Sequence, residues 1–240
     1  MNNAVTFAFV DVIDSVYHER EWSFAQEHAA EIDANWRRLC AQRSGVFDGR
    51  VLVADRWSLE ERAGKRALVT RHFATNFRNF IAMRNYGFPD PDVRTCFAAA
   101  ALISCEGDWL LGEMGAHTAN AGRVYFPCGT PDMDDVTGTQ VDLAGSVLRE
   151  LEEETGIAPH EITTDDGWTI IFEGGRIACM KIVRSSLTTD ALASRVRGFL
   201  AADKDAELAG VHVVRSRADI RPGTMPPYIC AFLGRQIQPG

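Results

Sequence analysis

At 240 residues the chain has room for one large domain, or for one domain with a substantial extension. Its hydrophobic share of 46% and charged share of 24% are those of a globular protein with a real core. A formal net charge of −8 excludes the broad basic surface that duplex nucleic acid requires. An anionic ligand would have to be drawn in by a metal ion and by local arginines rather than by the global field. Cys40, Cys96, Cys105, Cys128, Cys179 and Cys230 are scattered without a CxxC pair, which argues against a zinc site and, at this length, against a disulfide scaffold. Cys179, in the run Ile177-Ala178-Cys179-Met180, reads as a core thiol. Met1-Asn2-Asn3 carries no basic charge ahead of the first apolar stretch, and no run reaches the length of a membrane span. A reduced, cytoplasmic setting is expected, with no membrane and no nucleic acid as partner.

In chain order, residues 4–14 read as a strand, and residues 19–42 as a long helical stretch of good helix formers. Residues 50–57 and 66–73 read as two strands around a charged connection, 58–65. A short helix over 77–86 is closed by Gly87 and the Pro89–Pro91 break. This first part, 1–92, is expected to be an extension packed on the rest. The unit 93–240 opens with an uninterrupted apolar run, 95–104, followed by the turn Glu106-Gly107-Asp108 and a return strand at 109–113. Another short strand is expected at 123–128. Further on, 168–173 and 176–184 flank Gly174-Gly175, a two-residue hairpin signal. A helix over 188–202 has Thr188, Thr189 and Asp190 as capping candidates. A strand at 211–214 and a helix at 228–235 close the chain. The expected architecture is an α/β/α sandwich with a mixed sheet and an N-terminal αβ extension.

The chemistry concentrates at 149–157, Arg-Glu-Leu-Glu-Glu-Glu-Thr-Gly-Ile. At 3.6 residues per turn, Glu150, Glu153 and Glu154 fall within an arc of about 100° on one helix face. Ala144, Val147, Leu148 and Leu151 form an apolar stripe pointing elsewhere, which leaves the acidic face free to line a cleft. Like charges so close repel unless something positive sits among them. Hard cations such as Mg²⁺ or Mn²⁺ prefer carboxylate oxygens, and Mg²⁺ commonly bridges protein to phosphate. Gly156 suits a left-handed helix end. The cluster reads as a metal–phosphate site; the plainer alternative is a solvated, Glu-rich helix face.

These residues resemble the second half of the Nudix box, G-x5-E-x7-R-E-U-x-E-E-x-G-U, where U is a bulky aliphatic. Arg149, Glu150, Leu151, Glu153, Glu154, Gly156 and Ile157 match it without a gap. Phe126-Pro127-Cys128-Gly129 is similar to the Phe-Pro-Gly-Gly run that opens the motif. The first half departs from the pattern: the spacing from Gly129 to Arg149 is six residues too long, and Val141 with Asp142 stands where the box has its first glutamate. Residues 130–140 are therefore expected to form an enlarged surface loop beside the cleft. The order of elements from 93 to 238 is also that of Nudix domains.

The resemblance implies a Mg²⁺- or Mn²⁺-dependent hydrolase of a small-molecule nucleoside diphosphate derivative, cut at the pyrophosphate. It implies Glu150, Glu153 and Glu154 as metal ligands, Arg149 as the residue that orients a glutamate, and the Cys128 carbonyl as an additional ligand. The general base is open: Glu207, on a later loop, is the leading candidate and Glu173 a poorer one. The long box and the N-terminal extension, with Phe47-Asp48-Gly49 and Asn76-Phe77, are similar to the Nudix branch that hydrolyses UDP-glucose and UDP-galactose. Tyr125 or Phe77 would then stack on uracil. Arg71, in the interleaved segment 71–80, would contact substrate, although that segment also reads as an amphipathic helix anchored by Phe77 and Phe80. ADP-ribose is the rival substrate, and a non-catalytic nucleotide-binding module the rival from another class. The six histidines, His18, His28, His72, His117, His160 and His212, never pair at ligand spacing and read as structural or exposed. The oligomeric state is not written in the sequence.

Overall fold

Asp11 interrupts the first apolar stretch, and the chain changes sheets there. In the computed structural model, which describes residues 4–43 and 45–237, the single strand expected at 4–14 is two, β1 (Thr6–Val10) and β2 (Val12–Tyr17). Met1 to Asn3 and the last three residues of the 93–240 unit lie outside the described residues. The long helical stretch is also divided, into α1 (Ser23–Glu27) and α2 (Ala29–Gln42), with His28 between them. β3 (Arg50–Arg62) and β4 (Lys65–Asn76) make one long hairpin. Most of the expected connection 58–65 is strand: Leu59, Glu60 and Glu61 pair with Leu68, Ala67 and Arg66. The reversal needs only Ala63-Gly64, both at positive φ (51° and 76°). Charged residues are tolerated in the ladder because this end of the hairpin is exposed. α3 (Phe77–Asn85) ends close to where the sequence places it, with Gly87 at φ 75°.

The remaining elements are β5 (Thr95–Ile103), β6 (Trp109–Met114), β7 (Val124–Tyr125), β8 (Val136–Thr137), β9 (Gln140–Val141), α4 (Leu143–Thr155), β10 (Ile162–Thr164), β11 (Trp168–Glu173), β12 (Arg176–Ser185), α5 (Thr189–Ala202), β13 (Leu208–Val214) and α6 (Pro227–Gln236). β7 is shorter than the expected 123–128, since Pro127 has no N–H to offer a ladder. Its carbonyl instead accepts the Ala100 N–H at 2.9 Å, which docks the following loop on β5. The segment 130–140 is not the free surface loop expected of it. Asp132 bridges Val51 of β3, a one-turn 3₁₀ helix (Met133–Asp135) follows, and β8 and β9 form a tight hairpin whose Gln140 pairs with Val16 of β2.

The result is a mixed α+β fold with two mixed sheets rather than one. The larger runs β1–β11–β12–β5–β6–β13, with β10 on β12 and β7 on β6; β12 and β5 are parallel and the other pairs antiparallel. The second runs β3–β4–β2–β9–β8, with β2 and β4 parallel. β5 shows the layering. Cys96, Ala98, Ala100 and Leu102 face a core shared with α4, α5 and the inner side of the second sheet (Leu52, Ala54, Leu68). Ala99, Ala101 and Ile103 face α6 through Ile229, Phe232 and Leu233. The outer side of the second sheet (Val51, Val53, Phe73) is covered by α1, α2 and α3 through Phe24, Ile32 and Phe80. The alternation follows from the two-residue period of a strand. The small alanines of β5 let α4 and α6 approach from opposite sides.

Candidate functional site: an acidic cleft beside an arginine-lined cavity

α4 is fixed before any chemistry is asked of it. Asp142, near the position of the missing box glutamate, caps the helix by accepting the Gly145 N–H at 2.8 Å, and Val141 is buried in the core. Asp142 is therefore engaged as a cap rather than as a substitute for the missing glutamate. Leu143, Val147 and Leu151 are the buried stripe; Ala144, assigned to that stripe from the sequence, is exposed, and Leu148 is partly buried. Gly156 ends the helix in the left-handed conformation (φ 70°), and an added Cβ there would meet Phe199 at 2.4 Å.

The acids of this helix lie in unlike environments. Glu154 is buried: its Oε1 accepts the Cys128 N–H at 3.4 Å, and its Oε2 has no hydrogen-bond partner among the described residues. Glu150 is largely buried against the loop after β7. An added Cβ on Gly129 would stand 2.2 Å from its Oε1, so any larger residue there would displace the carboxylate from this position. The Glu153 side chain is 60% exposed and reaches Arg149 at 3.5 Å. Burial pushes the Glu150 carboxyl up to about 7, against the pull of Arg149 and with the help of Glu153, Glu207 and Asp135. Burial, then Glu150 and Glu207, hold Glu154 well above the usual carboxylate range. The Cys128 thiol is raised by burial and by the same glutamates.

Arg149 bridges three acids, at 2.9 Å to Asp135, 2.9 Å to Glu150 and 3.5 Å to Glu153. Burial works against its charge, but the hydrogen bond and charge of Asp135, with Glu150 and Glu153, raise its pKa. Asp135 is the site residue that sequence reasoning missed. It lies in the segment 130–140 expected to be a surface loop, yet it is buried, and its other oxygen accepts the Asp132 N–H at 3.1 Å. The Asp132-x-x-Asp135 capping pattern was the one available signal.

A cleft of about 840 Å³ reaches Glu150 among these groups, and is lined also by Glu207, Cys128, Gly129, Tyr125 and Phe77. Glu207, on the loop between α5 and β13, is exposed; its charge acts on Glu150, Glu154 and Cys128, while its backbone carbonyl holds the Gly115 N–H at 2.7 Å. Phe77 stacks on Phe80 at 5.6 Å, and the buried Tyr125 hydroxyl accepts from Asn120 Nδ2 at 3.1 Å. Two of the expected residues stand apart. Arg71 is held on Asp55 by two hydrogen bonds, 2.8 and 3.0 Å, and lines neither this cleft nor the cavity beside it. Glu173 is buried on the β11–β12 turn with Arg176 at 3.6 Å, and burial raises its pKa. His72, expected to be structural or exposed, is completely buried, and neither ring nitrogen has a partner among the described residues.

Among the described residues no three His, Cys, Asp or Glu side chains converge in a geometry that would hold a metal ion. The donor set nonetheless fits a hard cation. The groups are carboxylate oxygens, their charges repel, burial disfavours their ionisation, and one buried oxygen lacks any donor. The site thus joins an acidic helix face, a glycine-opened loop and a deep cleft on a mixed α+β scaffold.

No protein-family model matches the chain, and comparison with curated proteins gives no significant match. Among solved structures the chain is similar to a Nudix hydrolase from M. smegmatis, RenU. That likeness has 13% identity over 58% of this chain and 80% of the other, with a TM-score of 0.39. It is also similar to the MutT protein from Methanosarcina mazei Go1, at 18% identity over 60% of this chain and 92% of the other, with a TM-score of 0.37. Likeness at this level carries no argument about activity. No helix among the described residues is long and apolar enough to cross a membrane.

Proposed function

We propose that the chain is a divalent-metal-dependent hydrolase that cuts the pyrophosphate bond of a nucleoside diphosphate linked to another moiety. UDP-glucose or a close nucleotide sugar is the leading substrate. The observation that carries the reading is the buried Glu154, one oxygen of which has no partner among the described residues, close enough to feel the charge of Glu150, which lines a substrate-sized cleft. Residues 93–240 form the catalytic unit in this reading, with 1–92 as an extension packed on it.

Glu150, Glu153 and Glu154 would hold Mg²⁺ or Mn²⁺, with the Cys128 carbonyl beside them. When bound, the cation supplies charge neutralisation on the phosphate oxygens and lowers the pKa of water. Arg149, tied to Asp135, fixes the Glu150 rotamer. Glu207, exposed to solvent and close enough for its charge to act on the same acids, would take a proton from the attacking water. Tyr125 and Phe77 offer aromatic faces to the base. A polar base pocket rejects the wrong base strongly, since its groups are left unpaired.

The substrate assignment is tested by comparing kcat/KM for UDP-glucose and ADP-ribose under saturating Mg²⁺. Preference for UDP-glucose supports the uridine reading; a tenfold preference for ADP-ribose would sink it and leave the pyrophosphatase chemistry standing. A non-catalytic module would bind nucleotide and turn over neither.

A further inference from the structure

A second cavity, of about 210 Å³, adjoins the acidic cleft and has the opposite electrostatic character. The two share Asn120, Tyr125, Cys128, Gly129 and Thr130, so a ligand lying across these residues reaches both. The smaller one is lined by Arg84, Arg123 and Arg176, with no carboxylate on its wall among the described residues.

Arg84 lies in the last turn of α3. Its guanidinium lies over the Phe80 ring, 5.5 Å from the centroid, and donates to Asn120 Oδ1 at 3.1 Å. Among the described residues it forms no other side-chain hydrogen bond and no ion pair, although a guanidinium carries five N–H groups. A cation is favoured in the last turn of a helix, but that does not account for one lining a cavity without a counter-ion among the described residues. Arg176 approaches from the β12 side, only loosely paired with Glu173 at 3.6 Å and lying over the Phe88 ring at 5.1 Å. Burial, and then the charge of Arg176, lower the Arg84 pKa, so two like charges share this space. Arg123 is exposed at the rim and makes no ion pair among the described residues.

We propose that this cavity is a subsite for an oxyanion, a phosphate monoester or a carboxylate, borne on the far arm of the substrate whose diphosphate occupies the acidic cleft. Such an arm favours an acid-bearing nucleotide sugar over UDP-glucose, whose sugar is neutral. The inference rests on the reading of that cleft given above. The planar fork of a guanidinium matches the paired oxygens of either group, and the aromatic faces behind it keep the fork in place. An anion there supplies the counter-charge that Arg84 lacks among the described residues and that Arg176 has only from Glu173 at 3.6 Å. With a chain carrying a net charge of −8, such a local pair of arginines is what would retain an anion against the overall field.

The test is calorimetric titration of the metal-free protein with inorganic phosphate and, separately, with succinate, at fixed ionic strength and in chelator. Saturable binding of at least one is expected, weakened tenfold or more in Arg84→Met and measurably in Arg176→Gln. Arg84→Lys keeps the charge but loses the fork, and should fall between. Circular dichroism checks each variant's fold; if Arg84→Met does not fold, Arg84→Lys and Arg176→Gln decide. Phosphate alone binding identifies a phosphate monoester, and succinate alone a carboxylate. Absence of saturable binding of both anions, or equal binding by the wild type and the folded arginine variants, would overturn the subsite. Hydrolysis is not read in this experiment. Anion binding without turnover therefore sinks only the pyrophosphatase reading, and turnover without anion binding sinks only the subsite.

Discussion

Replacing Glu150 by glutamine should make the metal-free protein more stable at alkaline pH while disabling it. The Glu150 carboxyl is raised from 4.5 to about 7, with burial as the largest cause, and its side chain is only 15% exposed. Between those two values the folded protein holds a proton that the unfolded chain has released. Stability contributed by this group therefore falls as pH rises through the window from 4.5 to about 7, and levels off above it. At about 1.4 kcal/mol per tenfold, the full loss is on the order of 3 kcal/mol. Glutamine keeps the shape and an acceptor for Arg149, and never pays to ionise. Urea unfolding in chelator at pH 5 and pH 8 should show wild type losing roughly 2–3 kcal/mol more than Glu150→Gln across that interval. Added Mg²⁺ should return the loss to wild type at pH 8, since binding to the folded state alone stabilises it, and should return much less to the variant. Parallel pH profiles for the two proteins would refute the reasoning, because Glu150 would then not carry the burial cost assigned to it.

Asp135→Asn should lower stability by about 1–2 kcal/mol in urea unfolding, a value discounted for the partly exposed Arg149 partner, and should lower kcat by freeing Arg149 and Glu150. An unchanged transition and unchanged kcat would mean that this bridge positions nothing. Gly129→Ala forces the far end of the Glu150 side chain to move, so kcat should drop about tenfold or more with little change in Tm. A wild-type kcat would show that the close approach is dispensable. Deleting residues 132–137 removes the Asp132 bridge, β8 and the Asp135 anchor, and should lower Tm clearly; an unaltered transition would return the segment to the status of a surface loop.

How far the fold could be read from the chain depended on how local the cause was. β5, α4 and the Gly174-Gly175 hairpin were legible, because an unbroken apolar run, a 3.6-residue stripe and a turn dipeptide each determine their element within a few residues. The second sheet was not. β2 and β4 are parallel neighbours separated by two helices and a strand, and β9 pairs with β2 from more than a hundred residues away. Nothing in Gln140-Val141 states that partner. The exposed end of the β3–β4 hairpin carries Glu60, Glu61 and Arg62, which in isolation look like a loop. The site divides in the same way. Glu150, Glu153 and Glu154 share a helix face by arithmetic alone. Their unequal burial depends on how the Cys128-Gly129 loop lies on α4, and Asp135 reaches Arg149 only after the hairpin folds back. Arg71 shows the reverse error, since a promising mixture of arginine and aromatics was satisfied internally by Asp55.

The central claim is metal-dependent cleavage of a pyrophosphate at the α4 carboxylates. Its most direct test follows a panel of nucleotide sugars, dinucleotides and ADP-ribose by phosphorus NMR with Mg²⁺, with chelator, and with Glu154→Gln. The account predicts a nucleoside monophosphate and a second phosphomonoester from at least one compound, with turnover abolished in chelator and reduced on the order of 10² or more in the variant. Undiminished turnover in chelator and in Glu154→Gln, or no turnover of any compound by the wild type, would contradict it.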